Sequence, residues 1–337
     1  MLLDPCTEAD LADFIAFVND TPWILHAATQ DLPCLRERGF SPSSVYDTEL
    51  AAKLLGRPRF GLGPLLELEL DVVLAKEHSA VDWSTRPMPE AWLAYAALDV
   101  EFLIELHERL QAALEASGRA DWYEQERALL LSFTGPEPRE EPWRRVSGIH
   151  AIRDPRRLAV VRALWQARDA RARTLDVSPG RVLHDSVIVD IARAMPATQR
   201  ALEALRPVHN RNARKDPGYW WQAIDQAYAC PESDLPKRTV SEGSIPPPRA
   251  WAQRNPDAAV RWDLVRPAVV AHAEALTIGA AVLVHPEVIR SLCWQGFELG
   301  MPDEAVATLL RGQGARPWQV EQLTPVITAA LAAAQPA

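Results

Sequence analysis

The chain has 337 residues, of which 36 are Lys or Arg and 45 are Asp or Glu, and its formal net charge is −9. Hydrophobic residues make up 48% and charged residues 24%, which excludes wholesale disorder and fits two or three domains. A net negative charge argues against a nucleic-acid partner, because phosphates attract Lys and Arg. The sequence has no apolar run that could span a bilayer, no signal-peptide pattern at Met1 and no C-x-x-C pair. It therefore predicts a cytoplasmic protein without a zinc ribbon or a disulfide scaffold.

The net charge is an average over three segments that differ in charge. Residues 1–143 hold 11 basic and 26 acidic residues, residues 144–229 hold 16 and 8, and residues 230–337 hold 9 and 11. Proline-rich stretches lie at both boundaries between these segments, and such stretches are typical of linkers. The predicted organisation is a domain at 1–133, a linker at 134–143, a domain at 144–229, a linker at 230–249 and a domain at 250–334.

The acidic N-terminal segment alternates short apolar runs with helical patterns. In chain order, the predicted elements are a strand at 23–25, a helix at 31–38, a strand at 45–46, a helix at 48–55 that Gly56 ends, and a long helix from Pro89 to Gly118. The long helix is the clearest of these, because eight apolar residues keep helical spacing along it. Alternating strands and helices predict an α/β domain.

The other two segments resemble each other at an offset of 101 residues, which indicates a duplicated helical module. The matched pairs are Ala172/Ala273, Leu175/Leu276, Val177/Ile278, Val182/Leu283, Leu183/Val284, His184/His285, Val187/Val288 and Ile188/Ile289. Ser178-Pro179 and His285-Pro286 are typical helix starts, so each module is predicted to be a small helical bundle. We expect His184 and His285 to cap helices rather than to bind ligands.

Two polar clusters in the acidic segment could carry chemistry. Tyr95 and Asp99 are four residues apart and therefore share one face of the long helix, beside its apolar stripe. A carboxylate at that place is costly unless it is paired or binds a metal. His26 and Asp31 follow the first predicted strand. The simpler interpretations are a solvated helix residue for Asp99 and a plain N-cap for Asp31.

In order along the chain, these clusters resemble the motifs of ribonuclease D, the tyrosine-type member of the DEDD 3′–5′ exonucleases. His26-Ala27-Ala28 with Asp31 resembles the second motif, and Tyr95 to Asp99 resembles the third, Y-x-x-x-D. Further residues between the two motifs also resemble the family. After the second motif they are Asp47-Thr48, Ala51-Ala52 and Leu54-Leu55-Gly56, and just before the third they are Lys76, Asp82-Trp83-Ser84 and Arg86-Pro87. The two helical modules resemble paired HRDC domains (helicase and ribonuclease D, C-terminal).

The resemblance implies an RNase H-like exonuclease domain that hydrolyses RNA 3′ ends with two divalent ions, Mg²⁺ or Mn²⁺. It implies maturation of tRNA 3′ ends or trimming of structured RNA. Asp99 is the implied metal ligand, Asp31 supports the other metal, and Tyr95 orients the attacking water. His26 belongs to the same implied catalytic set. Hard oxygen ligands of this kind suit Mg²⁺.

The first motif of the family, D-x-E, has no counterpart at the expected place, because only 25 residues precede His26. Asp47-Thr48-Glu49 spells D-x-E but lies between the second and third motifs, and we interpret it as a decoy. With Asp31 and Asp99 alone, high metal affinity and strong activity are not expected. Either the start codon is misassigned and the protein is longer and active, or the chain is a degenerate exonuclease kept for RNA binding. The intact second and third motifs favour the first explanation.

The basic segment is the direct argument for a nucleic-acid partner, because arginines contact phosphates and aromatic rings stack on bases. The predicted contacts are Arg144, Arg145, Arg153, Arg156, Arg157, Arg168, Arg171, Arg173, Arg211, Arg214 and Lys215. The alternative is that these arginines form a solvated helix face and that Trp220 and Trp221 belong to the core. A catalytically inactive protein that binds RNA or single-stranded DNA through this segment is the competing hypothesis for function.

Overall fold

A computed structural model describes residues 2–4, 11–74, 81–135, 139–205, 216–237 and 245–333. It divides the chain into two compact units. The first unit holds Met1–Gly135 together with Ile245–Ala337, and the second holds Pro136–Ser244. Within the described part of the chain, no helix combines the length and the apolar character that crossing a membrane requires.

The N-terminal part of the first unit is an α/β arrangement. Its elements are α1 (Ala12–Asn19), β1 (Pro22–Leu25), α2 (Ala28–Glu37), β2 (Ser44–Asp47), α3 (Thr48–Leu54), α4 (Leu62–Leu70), α5 (Glu90–Glu101), α6 (Leu103–Ala116) and α7 (Ala120–Ser132). The two strands are parallel, with Trp23 opposite Val45 and Leu25 opposite Asp47. Because parallel strands need a crossover, α2 connects them. Both predicted strands are confirmed.

The predicted single helix from Pro89 to Gly118 is wrong, because the chain breaks it into α5 and α6. Phe102 leaves helical geometry at φ −101° and ψ 6°. Helix α6 buries a leucine stripe in the core, made of Leu103, Leu106, Leu110 and Leu114. Helix α5 has no fully buried residue among those described. Because of the break, the leucine face of α6 can pack in the core independently of the face of α5 that carries Tyr95 and Asp99.

The second unit is entirely helical in its described part. Its helices are α8 (Pro155–Leu175), α9 (Pro179–Val182), α10 (Asp185–Ala194), α11 (Gln199–Glu203) and α12 (Pro217–Ala229). Helix α8 packs against α10 and α12 around a core that includes Leu164, Ile188 and Trp220. Trp220 is buried in this core, as the core alternative for this residue expected.

The C-terminal part of the first unit repeats the start of the second unit. Its helices are α13 (Trp251–Arg254), α14 (Pro256–Ala275), α15 (Ala280–Leu283), α16 (Pro286–Gln295), α17 (Asp303–Gly312) and α18 (Pro317–Ala332). Helices α14, α15 and α16 each begin 101 residues after α8, α9 and α10. Asp176 and Thr277, which are also 101 residues apart, both adopt positive φ, at 50° and 58°.

The two histidines at equivalent positions cap the third helix of each repeat. The ring of His184 accepts a hydrogen bond from the amide of Ser186 at 3.3 Å, and the ring of His285 accepts one from Glu287 at 3.3 Å. The prediction that both histidines are structural caps is confirmed.

The C-terminal helices share one hydrophobic core with the N-terminal α/β part, which the linker pattern did not indicate. Trp318 of α18 stacks on Trp122 of α7, with ring centroids 4.6 Å apart. Glu126 of α7 accepts hydrogen bonds from the Trp318 indole at 2.8 Å and from the Arg316 guanidinium at 2.7 Å. The C-terminal module therefore supports the domain that carries the two polar clusters.

Gly56 marks a close approach between these two parts. It adopts φ +69°, and a Cβ at this position would overlap the carbonyl oxygen of Thr277. We expect Gly56→Ala to destabilise the first unit by about 1–3 kcal/mol, because backbone must move in addition to the strain of positive φ. Urea unfolding would measure this, with Gly63→Ala in α4 as the control, since no atom lies near a Cβ there. Equal stabilities of the two variants would contradict the close approach.

Candidate active site

The turn after β1 positions His26 and Asp31. The strand ends at Leu25, and Ala27 adopts φ 59° and ψ 49°, so the chain reverses into α2 at Ala28. Ala27 is the N-cap of α2 and makes no side-chain cap hydrogen bond. Asp31 lies in the first turn of the helix and has an exposed side chain. The plain N-cap interpretation of Asp31 is therefore wrong.

Asp47, at the end of β2, holds this turn in place. Its side chain is 3% exposed. One carboxylate oxygen accepts the Ala27 amide at 3.0 Å and the Glu49 amide at 2.9 Å, and the other accepts the Ala28 amide at 2.9 Å. The Asp47 amide in turn donates to the hydroxyl of Tyr123 at 2.7 Å. A carboxylate that satisfies so many amides is fully engaged by the backbone, which agrees with the interpretation of Asp47-Thr48-Glu49 as a decoy.

Hydrogen bonds orient the imidazole ring of His26 and bear on which ring nitrogen carries the hydrogen. Its Nδ1 lies 2.9 Å from the hydroxyl of Thr48, and that hydroxyl donates to the carbonyl of Leu25 at 3.2 Å. With the single hydroxyl proton on the Leu25 carbonyl, the hydroxyl accepts from His26, and this arrangement assigns the hydrogen to Nδ1 and leaves Nε2 as an acceptor. Burial lowers the pKa of His26 despite the nearby charges of Asp47 and Glu49. The ring is therefore neutral at neutral pH.

The negative charge of Asp31 acts on Asp99, although the two residues lie far apart in the sequence. Burial raises the pKa of Asp99, and the negative charge of Asp31 raises it further. Partial desolvation and then the charge of Asp47 raise the pKa of Asp31. Asp99 has an exposed side chain, as the simpler interpretation of a solvated helix residue expects. Tyr95 lies one turn before Asp99 on α5.

These residues fit part of a divalent-metal site. Asp31 and Asp99 offer hard oxygen ligands, and a divalent cation would relieve the repulsion between them. Within the described ranges, no group of three or more His, Cys, Asp or Glu residues is arranged to hold a metal ion. Among the described residues, the pair by itself does not complete a ligand set for two metals.

Comparison with known proteins assigns the chain to a family. A "3′-5′ exonuclease" family matches residues 1–115, an "HRDC domain" family matches 157–224, and a "3′ to 5′ exonuclease C-terminal domain" family matches 244–331. Ribonuclease D of Pseudomonas paraeruginosa is 28% identical over 340 residues, which cover 99% of this chain and 85% of that protein. The chain belongs to the ribonuclease D family.

Solved structures share this fold. A protein from Bifidobacterium adolescentis is 37% identical, with a TM-score of 0.83, over 96% of this chain and 81% of that one. Escherichia coli RNase D, at 23% identity and a TM-score of 0.66 over 99% of this chain and 85% of that one, shares the fold. The predicted RNase H-like exonuclease domain followed by helical modules is confirmed. Membership of the ribonuclease D family implies RNA as the substrate class and dependence on divalent metal.

The predicted phosphate contacts in the second unit fall into different environments. The prediction for Arg168 is wrong, because its side chain is 6% exposed and pairs with Asp185 at 2.6 Å and the carbonyl of Leu183 at 3.0 Å. A side chain buried in this way cannot meet a phosphate. Arg156 is also engaged, because it donates to the backbone carbonyls that end α12.

Three more of these arginines are held by neighbouring side chains. Arg144 pairs with Glu141 at 2.6 Å, Arg171 pairs with Asp216 at 3.1 Å, and Arg173 pairs with Asp169 at 2.9 Å. The remaining described candidates, Arg145, Arg153 and Arg157, are exposed and form no ion pair within the described part of the chain. The other predicted contacts, Arg211, Arg214 and Lys215, lie outside the described residues.

The sequence pattern did not identify Asp47 as the residue that shapes the site. Its signal was present, because an Asp directly before the helical pattern at Thr48 is a typical N-cap. The bonds from Asp47 to Ala27 and Ala28 could not be foreseen, since they join residues 19 and 20 positions apart.

Proposed function

We propose that this chain acts as a 3′–5′ exoribonuclease that removes nucleotides from RNA 3′ ends with divalent metal ions. The observation that supports this most is that the charge of Asp31 raises the pKa of Asp99, in a member of the ribonuclease D family. A tRNA precursor or another structured RNA with a single-stranded 3′ end is the substrate that we propose. Mg²⁺ or Mn²⁺ is the metal that these oxygen ligands favour.

Each residue has a proposed task. Asp99 and Asp31 hold the metal ions, which, when bound, supply activation of water and stabilisation of the leaving 3′ oxygen. The Tyr95 hydroxyl holds the attacking water by a hydrogen bond. His26 presents its Nε2 lone pair as a neutral hydrogen-bond acceptor near Asp31, and Thr48 keeps it in that tautomer. Asp47 fixes the turn that carries His26 and Asp31.

The proposed enzyme is tested with a 5′-labelled RNA that has a single-stranded 3′ end. The 337-residue chain and the same chain extended through the upstream reading frame are compared, each with Mg²⁺, Mn²⁺ or EDTA. We expect a ladder of products shortened from the 3′ end, faster for the extended chain and absent in EDTA. Asp99→Asn should slow it at least about 100-fold, because a change of metal ligand costs more than the 10–100-fold of an outer-shell change.

Glu101→Gln is the matched control for Asp99→Asn, because Glu101 is an exposed acid on the same helix. Its rate should stay within a factor of two of the unchanged chain. Intact RNA with both chains, or a ladder that Asp99→Asn leaves unchanged, would overturn the proposed activity. Salt-dependent RNA binding without shortening would support the competing hypothesis of an inactive binding protein.

We also propose that Arg145, Arg153 and Arg157 contribute phosphate contacts in the second unit. They are exposed, and the segment around them carries an excess of basic residues. Each lost phosphate contact should lower the slope of log affinity against log salt by about 1. The cytoplasmic location stays a prediction from the sequence.

A further inference from the structure

An exposed aromatic cluster lies beside Tyr95. Trp83 is 36% exposed, and the centroid of its ring lies 6.0 Å from that of Tyr95 and 5.7 Å from that of Trp92. The ring of Trp83 belongs to no hydrophobic core in the described part of the chain. An exposed tryptophan that does not serve a core and adjoins a catalytic candidate is a candidate ligand contact.

Trp83 sits on a turn that polar contacts hold in place. The Thr85 amide donates to the Asp82 carbonyl at 2.9 Å, which closes a β-turn with Trp83 as its second residue. The Asp82 carboxylate accepts the hydroxyl of Ser84 at 2.6 Å. Arg86 donates to the carbonyl of Trp83 at 2.8 Å. The backbone that carries the exposed indole is therefore ordered before any ligand binds.

Arg86 is itself fixed by a second carboxylate. Its guanidinium makes a two-point ion pair with Asp4, and both N–O distances are 2.6 Å. Bidentate pairs of this kind restrict the planar guanidinium to one orientation. The arginine is thus used to position the turn, and its charge is matched by Asp4.

Charge also limits what can bind here. Residues 1–143 hold 26 acidic and 11 basic residues, and Asp31 and Asp99 add local negative potential near Tyr95. Backbone phosphates therefore find few cations at this site. A nucleobase carries no charge, and its flat face can stack on indole whatever the base.

We propose that Trp83, supported by Trp92, is the stacking surface for the nucleobase at the RNA 3′ end. This inference rests on the proposed function, because it places the 3′ end of RNA beside Tyr95. Stacking on one indole is tolerant of sequence, so this site holds the 3′ end of an RNA without selecting its terminal base.

The test measures binding, so it does not depend on hydrolysis. Two 5′-labelled RNAs are compared by fluorescence anisotropy in Ca²⁺. They differ only in their 3′-terminal nucleotide, which is an adenosine in one and an abasic riboside in the other, and a gel checks that both stay intact. We expect Trp83→Ala to weaken binding of the adenosine RNA about five- to a hundredfold and to change binding of the abasic RNA less than twofold.

Two further variants separate stacking from general damage. Trp83→Phe keeps an aromatic face and should retain most of the preference for the adenosine RNA. Phe17→Ala removes another exposed aromatic side chain, which is 70% exposed on α1, and should change neither affinity. Thermal unfolding confirms that each variant is folded.

An equal loss on both RNAs, no loss on either, or no measurable binding by the unchanged chain would overturn the role of Trp83. A preference for the terminal base that depends on Trp83 in a chain that never shortens RNA would uphold it, while the proposed hydrolysis fails. The two proposals are therefore tested separately.

Discussion

Asp47→Ala is expected to destabilise the first unit by about 3–5 kcal/mol. The substitution removes the acceptor for the buried amides of Ala27, Ala28 and Glu49, and each buried donor left without a partner costs about 1–3 kcal/mol. The α2 start should loosen first, because Ala27 holds its positive φ against this carboxylate. Urea unfolding gives the free energy, and hydrogen exchange of residues 26–37 locates the loss.

Two matched variants sharpen this prediction. Asp47→Asn keeps one acceptor oxygen but turns an NH₂ group towards the Ala28 amide, so an intermediate loss of about 1–3 kcal/mol is expected. Glu49→Gln changes the other acid of the D-x-E sequence, which forms only a partly exposed i,i+4 pair with Lys53. It should change stability by less than about 0.5 kcal/mol. Normal stability of Asp47→Ala together with lost metal binding would instead make Asp47 a ligand.

Arg168→Met is expected to destabilise the second unit by about 3–5 kcal/mol at neutral pH. Methionine fills a similar volume but leaves the carboxylate of Asp185, which is partly buried, without its cation. Asp185 retains only the Ser147 amide as a neutral donor, at 2.7 Å. Urea unfolding at several pH values, followed by hydrogen exchange in α8 and α10, measures the effect.

The pH dependence has a definite sign. Burial alone would raise the pKa of Asp185, but the hydrogen bonds from Ser147 and Arg168, with the charge of Arg168, hold it below its ordinary value. A depressed carboxyl pKa contributes stability that is fully present above the ordinary value and is lost as pH falls through the folded value. The difference in free energy of unfolding between Arg168→Met and the unchanged chain should therefore become smaller at acidic pH.

Arg157→Met is the control, because Arg157 is exposed on the same helix. We expect it to leave stability within about 0.5 kcal/mol and to weaken RNA binding at low salt. The opposite pattern, in which Arg168→Met weakens RNA binding without loss of stability, would restore Arg168 as a phosphate contact.

Local patterns in the sequence predicted most of the elements that position the site. The strands at Trp23 and Val45 and the helix starts at Pro179 and Pro286 depend on residues close in sequence, so short-range periodicity and capping signals suffice for them. The break at Phe102 was missed because the leucine spacing continues across it. The break is required only by the packing of α6 in the core, which turns its leucine stripe away from the face of α5 that carries Tyr95 and Asp99.

The arginines of the second unit show the same limit. Composition alone gives a basic segment, and it treats Arg168 and Arg157 alike. Arg168 is buried against Asp185 and Arg157 is exposed, and this difference depends on which face of α8 packs in the core. A count of charges therefore predicts that a unit is basic, but burial decides which charges a phosphate can reach.

The sequence by itself identified the ribonuclease D family, the order of the second and third motifs and the duplicated helical module, because each is recognised from residues at fixed spacing along the chain. Only the tertiary structure showed that the Asp47 carboxylate accepts hydrogen bonds from the turn that carries His26 and Asp31. It also showed that Asp31 raises the pKa of Asp99 and that the C-terminal helices share a core with the α/β part. These facts join residues that lie far apart in the chain. Their energies come from burial and from distances that exist only after folding.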